Sequence, residues 1–205
     1  MNILVIQNRM GIGDMVIFLP FIEAISKKYG ARITLLIKES TKVTEYVDNL
    51  KFVEKIIYLK RDKKNNQHSG FFGFLRLKNE IKKNFFDKAF IFNSSLRYRL
   101  ICKFSGVKDI HQYPLFEKKG QNLILAAQKL LKSINLNVES NPQIELNKDA
   151  IKLSEQKFKI QKNKVNILLG IGGSGPTKRT PPYKFKKFID LALKEYDCAF
   201  YLVTG

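Results

Sequence analysis

Carboxylates are scarce in this chain of 205 residues: 18 Asp and Glu stand against 37 Lys and Arg, a formal net charge of +19. Such a surface disfavours cationic partners. It favours nucleic acid, an anionic membrane face or a phosphorylated substrate. The same surplus also fits a Lys-, Asn- and Ile-rich composition with no functional meaning. Cysteine is nearly missing. Cys102 and Cys198 lie far apart and in no CxxC pattern, so neither a disulfide framework nor a zinc site is indicated. Reduced thiols fit a cytoplasmic location. No apolar run is long enough to span a bilayer. The longest, "MVIFLPFI", is short and holds Pro20. The amino terminus reads as a strand, without the basic start and cleavage site of a secretory signal.

What is present is a globular composition, with 44% hydrophobic residues, in which short β-like runs alternate with helical patterns. Strands are expected at 2–7, 32–38, 52–59, 87–92 and, more weakly, 107–113. Helices are expected at 14–28, 40–49, 71–84, 94–106, 122–134 and 148–160. Pro20 should bend or loosen the first turns of the first helix. Alternation of this kind means a mostly parallel sheet covered on both faces, with ligands bound outside the carboxyl ends of the strands. At 161 the pattern restarts: strand 165–170, a glycine- and proline-rich loop 171–182, helix 183–196 and strand 198–205. We therefore expect a first domain over 1–160 and the start of a second, apparently truncated, over 161–205.

Two loops carry chemistry. "GIGD" (11–14) follows the first strand and opens a helix. Glycines there allow a tight turn and close ligand approach. Asp14 reads either as an N-cap for the helix or as a functional carboxylate at the sheet's carboxyl edge. The stretch is not a dinucleotide fingerprint, since Val16 stands where a third glycine is required. "GIGGSGPTKRTPPYKF" (171–186) also follows a strand and opens a helix. Gly172, Gly173 and Gly175, the hydroxyls of Ser174 and Thr177, and the charges of Lys178 and Arg179 would make a pyrophosphate cradle. The alternative is an ordinary flexible basic loop. No GK[ST] follows at Walker A spacing.

Together these stretches resemble the ADP-heptose:lipopolysaccharide heptosyltransferases and their relatives, glycosyltransferase family nine. The likeness rests on Gly13, Asp14 and Pro20 in "GIGDMVIFLPFIEAISKKYG", and on Lys178, Arg179, Thr180 and Pro181 in "LLGIGGSGPTKRTPPYKF". "FNSSLRYRLICKFSGVKDI" (92–110) resembles the family's fourth-strand region. Thr180 stands where the family has tryptophan, and the chain ends at "LVTG", where a Gly/Glu loop would begin.

The resemblance implies a GT-B-type α/β fold, with a Rossmann-like acceptor domain facing a second, here incomplete, Rossmann-like domain. It implies an inverting, metal-independent transferase that moves a heptose-like sugar from an ADP-sugar to a lipopolysaccharide core acceptor at the inner leaflet. No cofactor beyond the nucleotide-sugar donor, ADP-heptose, is expected. Asp14 would be the base. Lys178, with Ser174, Thr177, Gly172 and Gly173, would hold the donor's diphosphate. Gly13, Arg61, Lys64 and Arg97 would meet the acceptor, with Lys60, Lys63 and Arg99 nearby; a solvated charged face is the alternative for each. "SGFFGFLRLKNEIKKNFF" (69–86) mixes aromatics with lysines and reads either as core or as a membrane-contacting surface. His68 and His111 are isolated and receive no role. Dimerisation through the incomplete second domain is a further expectation. The other readings are a non-catalytic remnant that binds acceptor, lipid or a partner, and a basic nucleic-acid-binding α/β protein.

Overall fold

The computed structural model describes residues 1–9, 11–46, 50–61, 66–115, 122–144, 146–172 and 179–204. The chain divides into two units, Met1–Leu146 and Asn147–Gly205.

The first unit begins with β1 (Ile3–Ile6), α1 (Ile12–Tyr29), β2 (Ile33–Ile37) and two 3₁₀ turns, and continues through β3 (Val53–Tyr58), α2 (Gly70–Lys82) and β4 (Lys88–Ile91). It closes with α3 (Leu96–Phe104), β5 (Asp109–Gln112) and α4 (Leu123–Lys132). All five strands are parallel, in the order β3-β2-β1-β4-β5. β1 and β2 are wholly apolar or Thr-bearing and buried along their length, as strands covered on both faces must be. Val5, Phe18, Ile22, Leu35, Phe90 and Leu131 mark the core beneath α1 and α4. Leu4, Leu36, Leu77, Ile91 and Ile101 mark the core beneath α2 and α3. Cys102 lies in that second core, where burial pushes its thiol up to about 12 and leaves it inert at neutral pH.

One local expectation is corrected. Among the described residues of the helix expected at 40–49, residues 40–46 do not form one helix. They hold 3₁₀ turns at Glu39–Thr41 and Val43–Glu45, separated by Lys42 at φ 49°. The β-branched Thr41, Val43 and Thr44 and a left-handed backbone position at Lys42 defeat a continuous helix there. α1 runs unbroken through Pro20, carried by the buried stripe Met15, Phe18, Leu19, Ile22 and Ile25.

The second unit contains α5 (Lys148–Lys157), β6 (Val165–Gly170), α6 (Pro182–Glu195) and β7 (Cys198–Val203), with β6 and β7 paired in parallel. The division falls before α5 rather than at 160. The segment after α5 is tied to β7, the Gln161 N–H donating to the Tyr201 hydroxyl at 3.2 Å. No helix among the described residues is long and apolar enough to cross a membrane.

Candidate functional site

Strand order reverses between β1 and β4 in the first unit. Loops leaving their carboxyl ends part toward opposite faces of the sheet, and such a switch point is where open α/β sheets bind ligands. The turn after β1 is fixed from its first residue. Gln7 is buried; its N–H donates to the Leu36 carbonyl at 3.0 Å and its Oε1 accepts the Arg9 N–H at 2.8 Å. Gly11 then takes φ 96°, a conformation costly to a residue with a Cβ, and occupies the N-cap position of α1. The Met15 N–H returns to the Gly11 carbonyl at 3.4 Å.

Asp14 is therefore not the N-cap. It is the third residue of α1, in the first turn, beside Gly13. There the positive end of the helix dipole favours a carboxylate. Asp14 is half-buried and has no hydrogen bond or ion pair to a described residue. The Gln7 Nε2 is likewise buried and without a partner among the described residues.

The turn after β4 is braced from β5. The Gln112 Nε2 donates to the carbonyls of Asn93 and Ser95, each at 3.0 Å, and the Asn93 Oδ1 accepts the Ser95 N–H at 2.9 Å. This fixes the start of α3, which carries Arg97 and Tyr98. Arg97 donates through Nη2 to the His68 carbonyl at 2.9 Å, and its guanidinium lies over the Phe74 ring at 5.5 Å. Arg61, after β3, reaches the buried Tyr98 hydroxyl at 3.4 Å. Burial first, and then the neighbouring Arg61 charge, push the Arg97 guanidinium below its ordinary value. The Arg97 Nε is buried without a partner. Neither guanidinium has a carboxylate among the described residues. Two adjacent, uncompensated forks of this kind suit a phosphate or carboxylate group.

His68 completes the assembly, and sequence reading missed it. It is buried, its Nδ1 accepting the Lys60 N–H at 3.1 Å and its Nε2 facing Glu80 Oε2 at 3.3 Å. Its ring thus holds the β3 loop that bears Arg61, while its carbonyl holds Arg97. A lone histidine in a charged run carries no periodicity or spacing that would reveal this.

The structure brings Arg61 and Arg97 together and sets Gly13 and Asp14 on the first turn of α1, at the same sheet edge. Gly172 lies just beyond the carboxyl end of β6. Gly173, Ser174, Thr177, Lys178, Lys63 and Lys64 fall outside the described residues. Among the described residues, no three His, Cys, Asp or Glu side chains are grouped as a metal ion would require.

The fold and this edge define a Rossmann-like α/β unit. No family model and no curated protein matches the sequence. Solved structures do match. A glycosyl transferase family 9 structure from Veillonella parvula superposes with a TM-score of 0.73 at 18% identity, over 97% of this chain and 62% of that one. E. coli ADP-heptose lps heptosyltransferase II gives 0.67 at 16% identity, over 100% and 64%. E. coli heptosyltransferase WaaC with ADP-2-deoxy-2-fluoro heptose gives 0.65 at 13%, over 100% and 69%. At these identities the likeness establishes the fold. The chain spans less than two thirds of the length of the first two structures.

Proposed function

We propose that this chain belongs to an inverting glycosyltransferase that uses an ADP-sugar donor. The observation that carries the reading is Asp14: a carboxylate with no partner among the described residues, in the first turn of the helix at the sheet's switch point, in a fold shared with heptosyltransferases. In this mechanism the acceptor hydroxyl gives its proton to Asp14 as its oxygen attacks the anomeric carbon. The bond from that carbon to the donor's diphosphate oxygen breaks on the opposite side, so the configuration inverts. General-base assistance of this kind is worth about 10²–10⁴-fold.

Charge on the departing ADP falls to Lys178 and the N–H groups around Gly172 and Gly173, with Ser174 and Thr177 as further donors. This assignment needs no divalent ion. The Arg61–Arg97 pair, with Lys64 beside it in sequence, takes an anionic group of the acceptor. A phosphorylated or carboxylated lipopolysaccharide core presented at the cytoplasmic side of the membrane fits that chemistry.

The test is single-turnover transfer from ADP-heptose to a deacylated lipid core, with ADP affinity measured in parallel. Asp14→Asn is expected to cut turnover by at least about 10²-fold while leaving ADP affinity unchanged. Near-normal turnover in the variant would overturn the assignment of Asp14. ADP binding without transfer by the unmodified chain would favour the non-catalytic reading instead.

A further inference from the structure

The amino-terminal turn of α2 displays a pair of phenylalanines. Phe71 is 71% exposed and Phe72 76%, with their rings edge to face at 6.0 Å between centroids. On the adjoining α3, Phe104 is 58% exposed and meets Phe74 edge-on at 6.3 Å. The helices are tied together, the Ser105 hydroxyl donating to the Lys78 carbonyl at 2.9 Å. Large exposed aromatics gathered on one layer mark an interaction surface. Their display is rigid. Gly73 packs so closely on the preceding turn that a Cβ there would stand 2.3 Å from the His68 carbonyl carbon, and its N–H donates to the Ser69 carbonyl at 3.0 Å.

The charge of the same layer is one-sided. Beyond Arg97, which serves the sheet-edge site, helices α2 and α3 carry Arg76, Lys78, Lys82, Arg99 and Lys103 against a single acid, Glu80, whose carboxylate faces His68. Exposed rings beside unopposed cations are the composition of a surface that enters the headgroup region of an anionic bilayer, apolar groups inserting and cations meeting lipid phosphates. We propose that the outer face of α2 and α3, led by Phe71 and Phe72, docks this protein on anionic lipid bilayers. The rings sit at the start of a helix on an outward-facing turn. Base stacking on nucleic acid instead uses aromatics that floor a basic groove.

The proposal does not depend on transferase activity and is tested without it, by co-flotation with vesicles of phosphatidylglycerol mixed with phosphatidylcholine and with phosphatidylcholine alone. The unmodified protein is expected to float with the anionic vesicles only. The double variant Phe71→Ser, Phe72→Ser should bind at least about tenfold more weakly, since two apolar rings no longer enter the bilayer. Its thermal unfolding should be unchanged, because both side chains are exposed. Phe85→Ser removes another exposed ring beyond the far end of α2 and should leave flotation as it was. Equal flotation of the double variant and the unmodified protein would overturn the proposal. So would an equal loss with Phe85→Ser, or absence of vesicle binding alongside Phe71-dependent binding of single-stranded oligonucleotide.

Discussion

Leu35 and Leu168 hold comparable places, each inside a parallel strand. Leu35 on β2 is fully buried, whereas Leu168 on β6 is 70% exposed. Around Leu35, β2 has a neighbour on either side, and helices cover both faces of the sheet. Around Leu168, β6 pairs only with β7 among the described residues, and α6 has no buried residue. Phe158, Ile160, Leu168, Tyr201 and Leu202 line an open apolar groove of about 410 Å³. The same alternation of strand and helix thus yields burial in one unit and display in the other. Parallel strands are stable when both faces are covered, and a two-stranded sheet with α5 and α6, neither of which has a buried residue, does not supply that cover.

The most drastic way to break the comparison is to separate the units. Residues 1–146 alone are expected to unfold in one cooperative transition. Residues 147–205 alone are expected to show none, by circular dichroism or calorimetry. A sharp transition from the smaller piece would show that its apolar groove closes without help.

Single substitutions sharpen the same contrast. Phe18→Ala removes a fully buried ring packed 5.1 Å from Phe92 and should cost about 3–5 kcal/mol in denaturant titration. Leu168→Ala should fall within about 0.5 kcal/mol, as exposed positions do. A comparable loss at both sites would mean that Leu168 is covered in solution, by a second copy of the chain for example.

How the sequence foretold this differs between elements and site. β6 lies at 165–170 as its apolar run indicates, and α6 is displaced by one residue, because local patterning alone determines such elements. The helix expected at 40–49 failed where Lys42 adopts a left-handed backbone that no local pattern announces. In the site, "GIGD" revealed the turn but not which residue caps the helix: Gly11 takes that place, and Asp14 moves into the first turn. Arg61 and Arg97 were found as charges after strands. Their union was not legible, since it depends on the Tyr98 hydroxyl and the His68 carbonyl, contacts made across 37 and 29 residues of sequence.

A smaller effect is expected in the second unit's loop, where the proposed donor site rests on charge rather than on a core. Lys178→Ala is expected to weaken ADP binding by about 1.5–3 kcal/mol in calorimetric titration, the range for a hydrogen bond to a charged group. Arg179→Ala should cost less. Equal losses would make the loop a diffuse positive patch and remove Lys178 from its assigned place on the diphosphate.

The smallest effect returns to the first unit, at His68. Burial, ahead of every other influence, pushes its imidazole below the ordinary value of 6.5; Lys60 and Arg76 act in the same direction and Glu80 against it. The unfolded chain therefore takes up a proton at higher pH than the folded one. His68 contributes its full share of stability above about 6.5, and that share is lost as the pH falls below this value and through the lower folded-state one. Protonation of Nδ1 would also break the bond it accepts from the Lys60 N–H, loosening the segment that carries Arg61. The difference in unfolding free energy between the unmodified protein and His68→Gln should thus be largest near neutral pH and shrink toward pH 5, other titrations cancelling in the subtraction. The same acid range should weaken binding of an anionic acceptor more in the unmodified protein than in His68→Gln. A stability difference that stays constant with pH would show that His68 fills space without holding the loop through Nδ1.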